Sequence, residues 1–95
     1  MDKKQAYEEK LQARLDEWNA KIEMLKAKAE QEKAEAKLSY QETIEDLQRK
    51  RAVSRDKLQE LRQAGDDAWE DLKDGIQQAW SDLGEAVKEA SSKFK

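Results

Sequence analysis

The stretch AWEDLKDGIQQAWSDLGEAVKEA, residues 68–90, decides the fold because its apolar pattern repeats every eleven residues. Trp69 recurs as Trp80, Leu72 as Leu83, and Ile76 as Val87. Steps of three and four residues place these side chains on one face of an α-helix, and no strand-like alternation interrupts them. An eleven-residue repeat is typical of straight or slightly right-handed helical packing. The sequence therefore predicts an amphipathic helix over about residues 67–93.

The same apolar stripe continues toward the N-terminus in steps of four and three, as suits a left-handed coiled coil. Its N-terminal members are Leu11, Leu15, Trp18, Ile22, Leu25 and Ala29. The middle of the stripe is weaker, because three of its positions hold the polar residues Glu32, Arg51 and Ser54. These side chains either fix the register between helices or are solvated positions without a role in packing. Because KAKAEQEKAEAKL (26–38) forms helix strongly, we predict one continuous helix over about residues 3–64. A break near Ser39 and Glu42, which resemble a capping box, is the lesser alternative.

A turn is predicted at residues 65–67, within RQAGDDAWED (62–71). Gly65 suits the residue that follows a helix C-terminus. Asp67, with Glu70 three positions later, suits the start of the next helix. The stripe keeps its phase through Gly65, however, as it would in one continuous helix, and that alternative stays open.

These patterns predict an all-α single domain over residues 1–95, in which a long helix and a shorter antiparallel helix form a helical hairpin or coiled coil within an oligomeric bundle. Folding about the turn packs together Ile44, Leu47, Arg51, Ser54, Leu58, Leu61, Trp69, Leu72, Ile76, Trp80, Leu83 and Val87. In this arrangement Trp80 covers Arg51 and Ser54, and we expect a cation–π contact between Trp80 and Arg51.

The shorter helix is expected to run out near Tyr40, which leaves part of the stripe without a partner in its own chain. That part comprises Leu11, Leu15, Trp18, Ile22 and Leu25. An exposed apolar stripe of this size implies association. We therefore predict a homo-oligomer, or a complex with another helical protein, through these five side chains.

The composition argues against several function classes. The chain has 95 residues, of which 43% are charged, with no His, Cys or Pro and a net charge of −3. Imidazole and thiol chemistry are excluded, and the negative charge argues against nucleic acid as a partner. No phosphate-binding loop or nucleophile–base pair is recognisable. We predict a cytoplasmic, non-enzymatic protein without cofactor, metal or small-molecule substrate.

The rival hypothesis is a peripheral amphipathic protein that coats lipid or polymer-granule surfaces. The C-terminal segment is similar in its periodicity to apolipoprotein-like and phasin-like helices. Two features favour protein packing instead: residues 66–95 are net acidic, and small residues flank the stripe. These small residues are Ala68, Gly75, Ala79 and Ala86.

The segments LDEWNAKI (15–22) and AWEDLK (68–73), the latter followed by a second AW pair (79–80), give a pattern that runs through nearly the whole chain. This pattern resembles small bacterial coiled-coil proteins that carry no assigned activity. The resemblance implies a soluble, non-enzymatic helical protein and assigns a role to no residue.

Overall fold

Three helices, packed against one another, make up the computed structural model, which describes residues 2–94. They are α1 (Lys3–Glu30), α2 (Ala34–Gln63) and α3 (Lys73–Lys93), and a short 3₁₀ helix (Trp69–Leu72) precedes α3. No strand occurs in residues 2–94. The all-α bundle measures 51 × 20 × 19 Å along its principal axes.

Successive helices run antiparallel, so that α1 and α3 are parallel. Lys4, near the start of α1, reaches the end of α2, where its Nζ donates to the Ala64 carbonyl oxygen at 2.7 Å. At the opposite end of the bundle, Tyr40 of α2 stacks on Phe94, with ring centroids 3.9 Å apart. Helices α1 and α3 also contact each other, so each helix packs on both of the others.

The core is built from the single apolar stripe of the sequence, which α1, α2 and α3 all turn inward. Its buried apolar members are Leu11, Leu15, Ile22, Leu25, Ala29, Tyr40, Ile44, Leu47, Leu58, Leu61, Trp69, Ile76, Ala79, Trp80, Leu83, Val87 and Ala90. Because removal of apolar surface from water is the main favourable term in folding, this shared core explains the closed bundle.

The expected continuous helix over residues 3–64 is divided in the structure. Gln31, Glu32 and Lys33 form a turn between α1 and α2, and Lys33 is extended (φ −71°, ψ 161°). The stripe has no large apolar side chain between Ala29 and Tyr40, so a break here sacrifices little burial. Folding α1 back, in contrast, buries the N-terminal apolar side chains that a straight helix would leave in water.

The second interruption lies where the sequence places one, but its details differ. Helix α2 ends because Ala64 becomes extended (φ −74°, ψ 144°), and no described residue, Gly65 included, has a positive φ. Asp67 does not begin the next α-helix, because the 3₁₀ helix intervenes and α3 begins at Lys73. A 3₁₀ helix has three residues per turn, which directs Trp69 and Leu72 to the same side, toward the bundle.

The three helices are all strongly polar on their outer faces. Within residues 2–94, none of them contains an apolar segment of the length needed to cross a bilayer.

Candidate interaction surface

The five side chains predicted to form an oligomer interface lie inside the chain's own bundle. Leu11, Leu15, Ile22 and Leu25 are buried and Trp18 is half-buried. The expectation that they have no partner within the chain is wrong, because α1 folds back onto α2 and α3. In the closed chain, a surface for a partner therefore has to be sought elsewhere.

The side chains predicted to pack in the hairpin lie mostly in the same core. Those that are buried are Ile44, Leu47, Ser54, Leu58, Leu61, Trp69, Ile76, Trp80, Leu83 and Val87. Arg51 and Leu72 are half-buried. The apolar faces of α2 and α3 thus meet, although α1 completes the core that they form.

Trp80 is directed at α1, a helix that the predicted hairpin does not include. Its Nε1 donates to the carbonyl oxygen of Leu11 at 3.2 Å in a buried hydrogen bond. Arg51 also contacts α1, where it donates to Asn19 Oδ1 at 3.4 Å. The cation–π contacts found in residues 2–94 involve lysines of α3. The expected contact between Trp80 and Arg51 is not among them, since α1 provides the partners of both.

Several large apolar side chains that remain partly accessible lie along the line where α1 meets α3, which we call the α1–α3 seam. Tyr7, Trp18 and Phe94 are half-buried there, and Met24 is 60% exposed. The other exposed large apolar side chains, Leu38 and Val53, lie on α2. The seam thus brings three half-buried aromatic rings and Met24 together along one line of the described surface.

The N-terminal half of this seam is a groove with a volume of about 480 Å³. We call it the aromatic groove. Its lining residues are Tyr7, Lys10, Leu11, Arg14 and Trp18 of α1 and Gln77, Trp80, Ser81, Gly84 and Glu85 of α3. Three aromatic rings and two cationic side chains therefore surround one concave surface.

Tyr7 closes one end of the aromatic groove. Its ring lies 5.9 Å from that of Trp69, centroid to centroid. Its hydroxyl is buried and has no hydrogen-bond partner in residues 2–94. Burial raises the pKa of the phenol, and the positive charge of Arg14 offsets part of that rise. The hydroxyl is consequently a protonated donor without an acceptor at neutral pH.

Gly84 shapes the other end of the groove because it lets Trp18 lie directly on α3. A Cβ atom at residue 84 would come within 2.9 Å of Trp18 Cζ2. Glycine inside a helix costs about 1 kcal/mol relative to alanine, so the close approach of the indole is maintained at some expense in helix stability. Sequence reasoning missed this contact, because no local pattern tells which glycine of α3 faces an indole.

The comparisons with known proteins give no relative to reason from. No family model, no curated protein and no solved structure matches the chain. Its resemblance to small bacterial coiled-coil proteins stays a prediction. The carboxylates of residues 2–94 form no cluster of three or more suited to a metal ion. What the described residues do show is a concave surface between α1 and α3 that is lined by aromatic and cationic side chains.

Proposed function

We propose that this chain is a non-enzymatic structural and interaction protein that self-associates by exchanging α1 between two copies. The observation that carries the proposal is the turn between α1 and α2. It consists of Gln31, Glu32 and Lys33, which all have side chains that favour helix. Neither glycine nor proline fixes the turn.

The start of α2 is poorly capped in the closed chain. Lys33 occupies the N-cap position, and its side chain makes no capping hydrogen bond. Ser, Thr, Asp and Asn are the residues that stabilise this position. A chain that continued as helix through residues 31–33 would instead give the first N–H groups of α2 their helical acceptors.

Such a continuous helix can keep the core contacts of α1 if α1 packs on the α2 and α3 of a second copy. The two long helices would run antiparallel, with each α1 beside the partner's α2, as in the closed chain. Exchange of an identical element is an inexpensive route to a symmetric dimer. The N-terminal stripe, with Leu15 and Ile22 at its centre, would then form the interface between copies.

The experiment replaces Ala34, the first residue of α2, with proline. Proline is favoured at the first helical position and restricts the preceding residue to extended conformations, which Lys33 already has. Inside a continuous helix the same proline costs about 3 kcal/mol. We therefore expect Ala34→Pro to remain folded and monomeric, whereas the unmodified chain forms dimers as its concentration rises.

Light scattering measures the mass, and small-angle X-ray scattering measures the length. A helix over residues 3–63 would be about 90 Å long, against 51 Å for the closed bundle. Thermal melting at low concentration checks that Ala34→Pro keeps the closed fold. A chain that stays monomeric at every concentration contradicts the proposal, as does a dimer that forms equally well with proline at residue 34.

A second candidate function is the coating of lipid or polymer-granule surfaces. The observation that favours it is the clear separation of apolar and polar faces in α3, the most amphipathic of the three helices. Binding to a surface would require the bundle to open, because Ile76 and Leu83 are fully buried. Loss of cooperative melting on addition of phospholipid vesicles, with helix content retained, would favour this candidate over self-association.

A further inference from the structure

We propose that the aromatic groove is a binding site for a small molecule that joins a carboxylate to an aromatic or alicyclic ring. This inference does not depend on self-association. The groove lies between α1 and α3, and the same walls would form if α1 came from a second copy.

The shape of the groove suits a ring. Its volume of about 480 Å³ lies within the range of about 300–1,000 Å³ that small-molecule sites occupy. Trp18 is half-buried and contributes accessible indole surface, whereas Trp80 and Leu11, each 3% exposed, lie beneath the floor of the groove. Flat apolar groups pack well against such aromatic faces.

The charge of the rim suits an anion. Lys10 and Arg14 lie on the α1 side of the groove, and neither forms an ion pair within residues 2–94. The α3 side contributes one acidic residue, Glu85, together with the neutral side chains of Gln77 and Ser81. The rim is therefore net positive in a chain whose net charge is −3. A guanidinium group can bind both oxygens of a carboxylate at once.

The hydroxyl of Tyr7 supplies an independent reason to expect an acceptor. A buried polar group without a partner costs about 1–3 kcal/mol, and native proteins leave few of them. The hydroxyl is covered in the free chain, so an acceptor reaches it only when neighbouring side chains move. Arg14 is exposed, and its charge acts on Tyr7. A carboxylate that draws Arg14 toward it would also be placed to accept from Tyr7.

The experiment uses hydrocinnamate as the probe and its uncharged amide as the matched comparison. The indole N–H signals of the tryptophans, followed by nuclear magnetic resonance on isotope-labelled full-length protein, report where each probe binds. We expect hydrocinnamate to shift the signals of Trp18 and Trp80 and to bind about tenfold more tightly than the amide, as one charge-assisted hydrogen bond implies.

Three variants test the residues assigned to the carboxylate. Arg14→Gln and Tyr7→Phe should each reduce hydrocinnamate affinity about tenfold, toward that of the amide. Arg55→Gln removes another exposed cation, from α2 and away from the groove, and should leave the affinity unchanged. Tyr7→Phe also removes an unpartnered hydroxyl, so its melting temperature should not fall, which separates lost binding from lost folding.

Several results would overturn the assignment. Equal binding of the amide would show that the groove does not select a carboxylate. Unchanged hydrocinnamate affinity in Tyr7→Phe or Arg14→Gln would remove that residue from the site. Indole signals that respond to neither probe would remove the site altogether. The mass and length measurements on Ala34→Pro are independent of these outcomes, so self-association is judged separately.

Discussion

At the scale of single residues, Ser54 is the exception in an otherwise apolar interior. Its side chain is fully buried, and its Oγ has no hydrogen-bond partner among residues 2–94. The neighbouring polar position, Arg51, avoids this cost because its guanidinium reaches Asn19 near the surface. Ser54 therefore carries a desolvation cost that the chain could lose without losing a contact.

We expect Ser54→Ala to increase the free energy of unfolding by about 1 kcal/mol, because it removes the unpaired hydroxyl from the core. Alanine also favours helix more than serine does. Ser81→Ala, at an exposed position inside α3, is the matched control. It makes the same change in helix preference but removes no buried hydroxyl. Urea denaturation measures both variants. If Ser54→Ala gains no more than Ser81→Ala, the hydroxyl has a partner in solution.

The sequence predicts which positions face the core but not which atoms satisfy the polar ones. The phase of the stripe places Arg51 and Ser54 on the inner face correctly, since both are partly or fully buried. Their partners depend on α1, which a hairpin of the two expected helices leaves out. The Leu11 carbonyl that accepts from Trp80 belongs to the backbone, and no residue type marks such an acceptor in a sequence.

At the scale of helices, the ends are held by side chains from distant parts of the chain as well as by local caps. Asp2 caps α1 conventionally, with Oδ1 accepting from the backbone N–H of Gln5 at 2.7 Å. The end of α2 is held by Lys4, whose Nζ donates to the carbonyl oxygens of Arg62 and Ala64. A cation at a helix C-terminus also interacts favourably with the helix dipole. Lys4 thus joins the first turn of α1 to the last turn of α2.

We expect Lys4→Met to lower the free energy of unfolding by about 1 kcal/mol, through loss of these charge-assisted hydrogen bonds. The methionine keeps most of the aliphatic stem, so packing changes little. Lys3→Met is the control, because Lys3 is exposed and is the adjacent lysine. Chemical denaturation compares the two variants. Equal losses of unfolding free energy in the two variants would mean that the effect comes from the change in net charge and not from the hydrogen bonds of Lys4 at the end of α2.

The break between α1 and α2 could not be placed from the sequence, because the residues that usually mark the end or the start of a helix are missing there. No glycine, proline or capping side chain marks residues 31–33. The only hint is the polar residue Glu32 at a stripe position, followed by residues 33–37, which include no large apolar side chain. The turn near Gly65 has positive signals, and an interruption was predicted there. Even so, the 3₁₀ helix places Trp69 beside Tyr7, a contact that depends on the fold of α1 and that the local sequence does not reveal.

At the scale of the whole molecule, one apolar stripe is compatible with two architectures. The closed bundle buries the apolar stripe within one chain. The proposed exchanged dimer would bury the same side chains between two chains. The α1–α2 turn is the segment whose backbone conformation distinguishes them. Because Gln31, Glu32 and Lys33 favour helix, we expect a rise in protein concentration to shift the population from the closed bundle toward the proposed dimer.

Hydrogen exchange at the start of α2 should therefore slow as protein concentration rises. In the closed chain the backbone N–H groups of residues 34–36 lie in the first turn of α2, where they lack helical acceptors, whereas Lys37 donates to the Lys33 carbonyl at 2.8 Å. In an exchanged dimer with a continuous helix they would donate to the carbonyls of residues 30–32. Exchange of residues 35 and 36 in Ala34→Pro should stay fast at every concentration. If the unmodified chain dimerises while these amides stay fast, the copies associate through an outer surface, and the α1–α3 seam with its exposed Met24 becomes the surface to test.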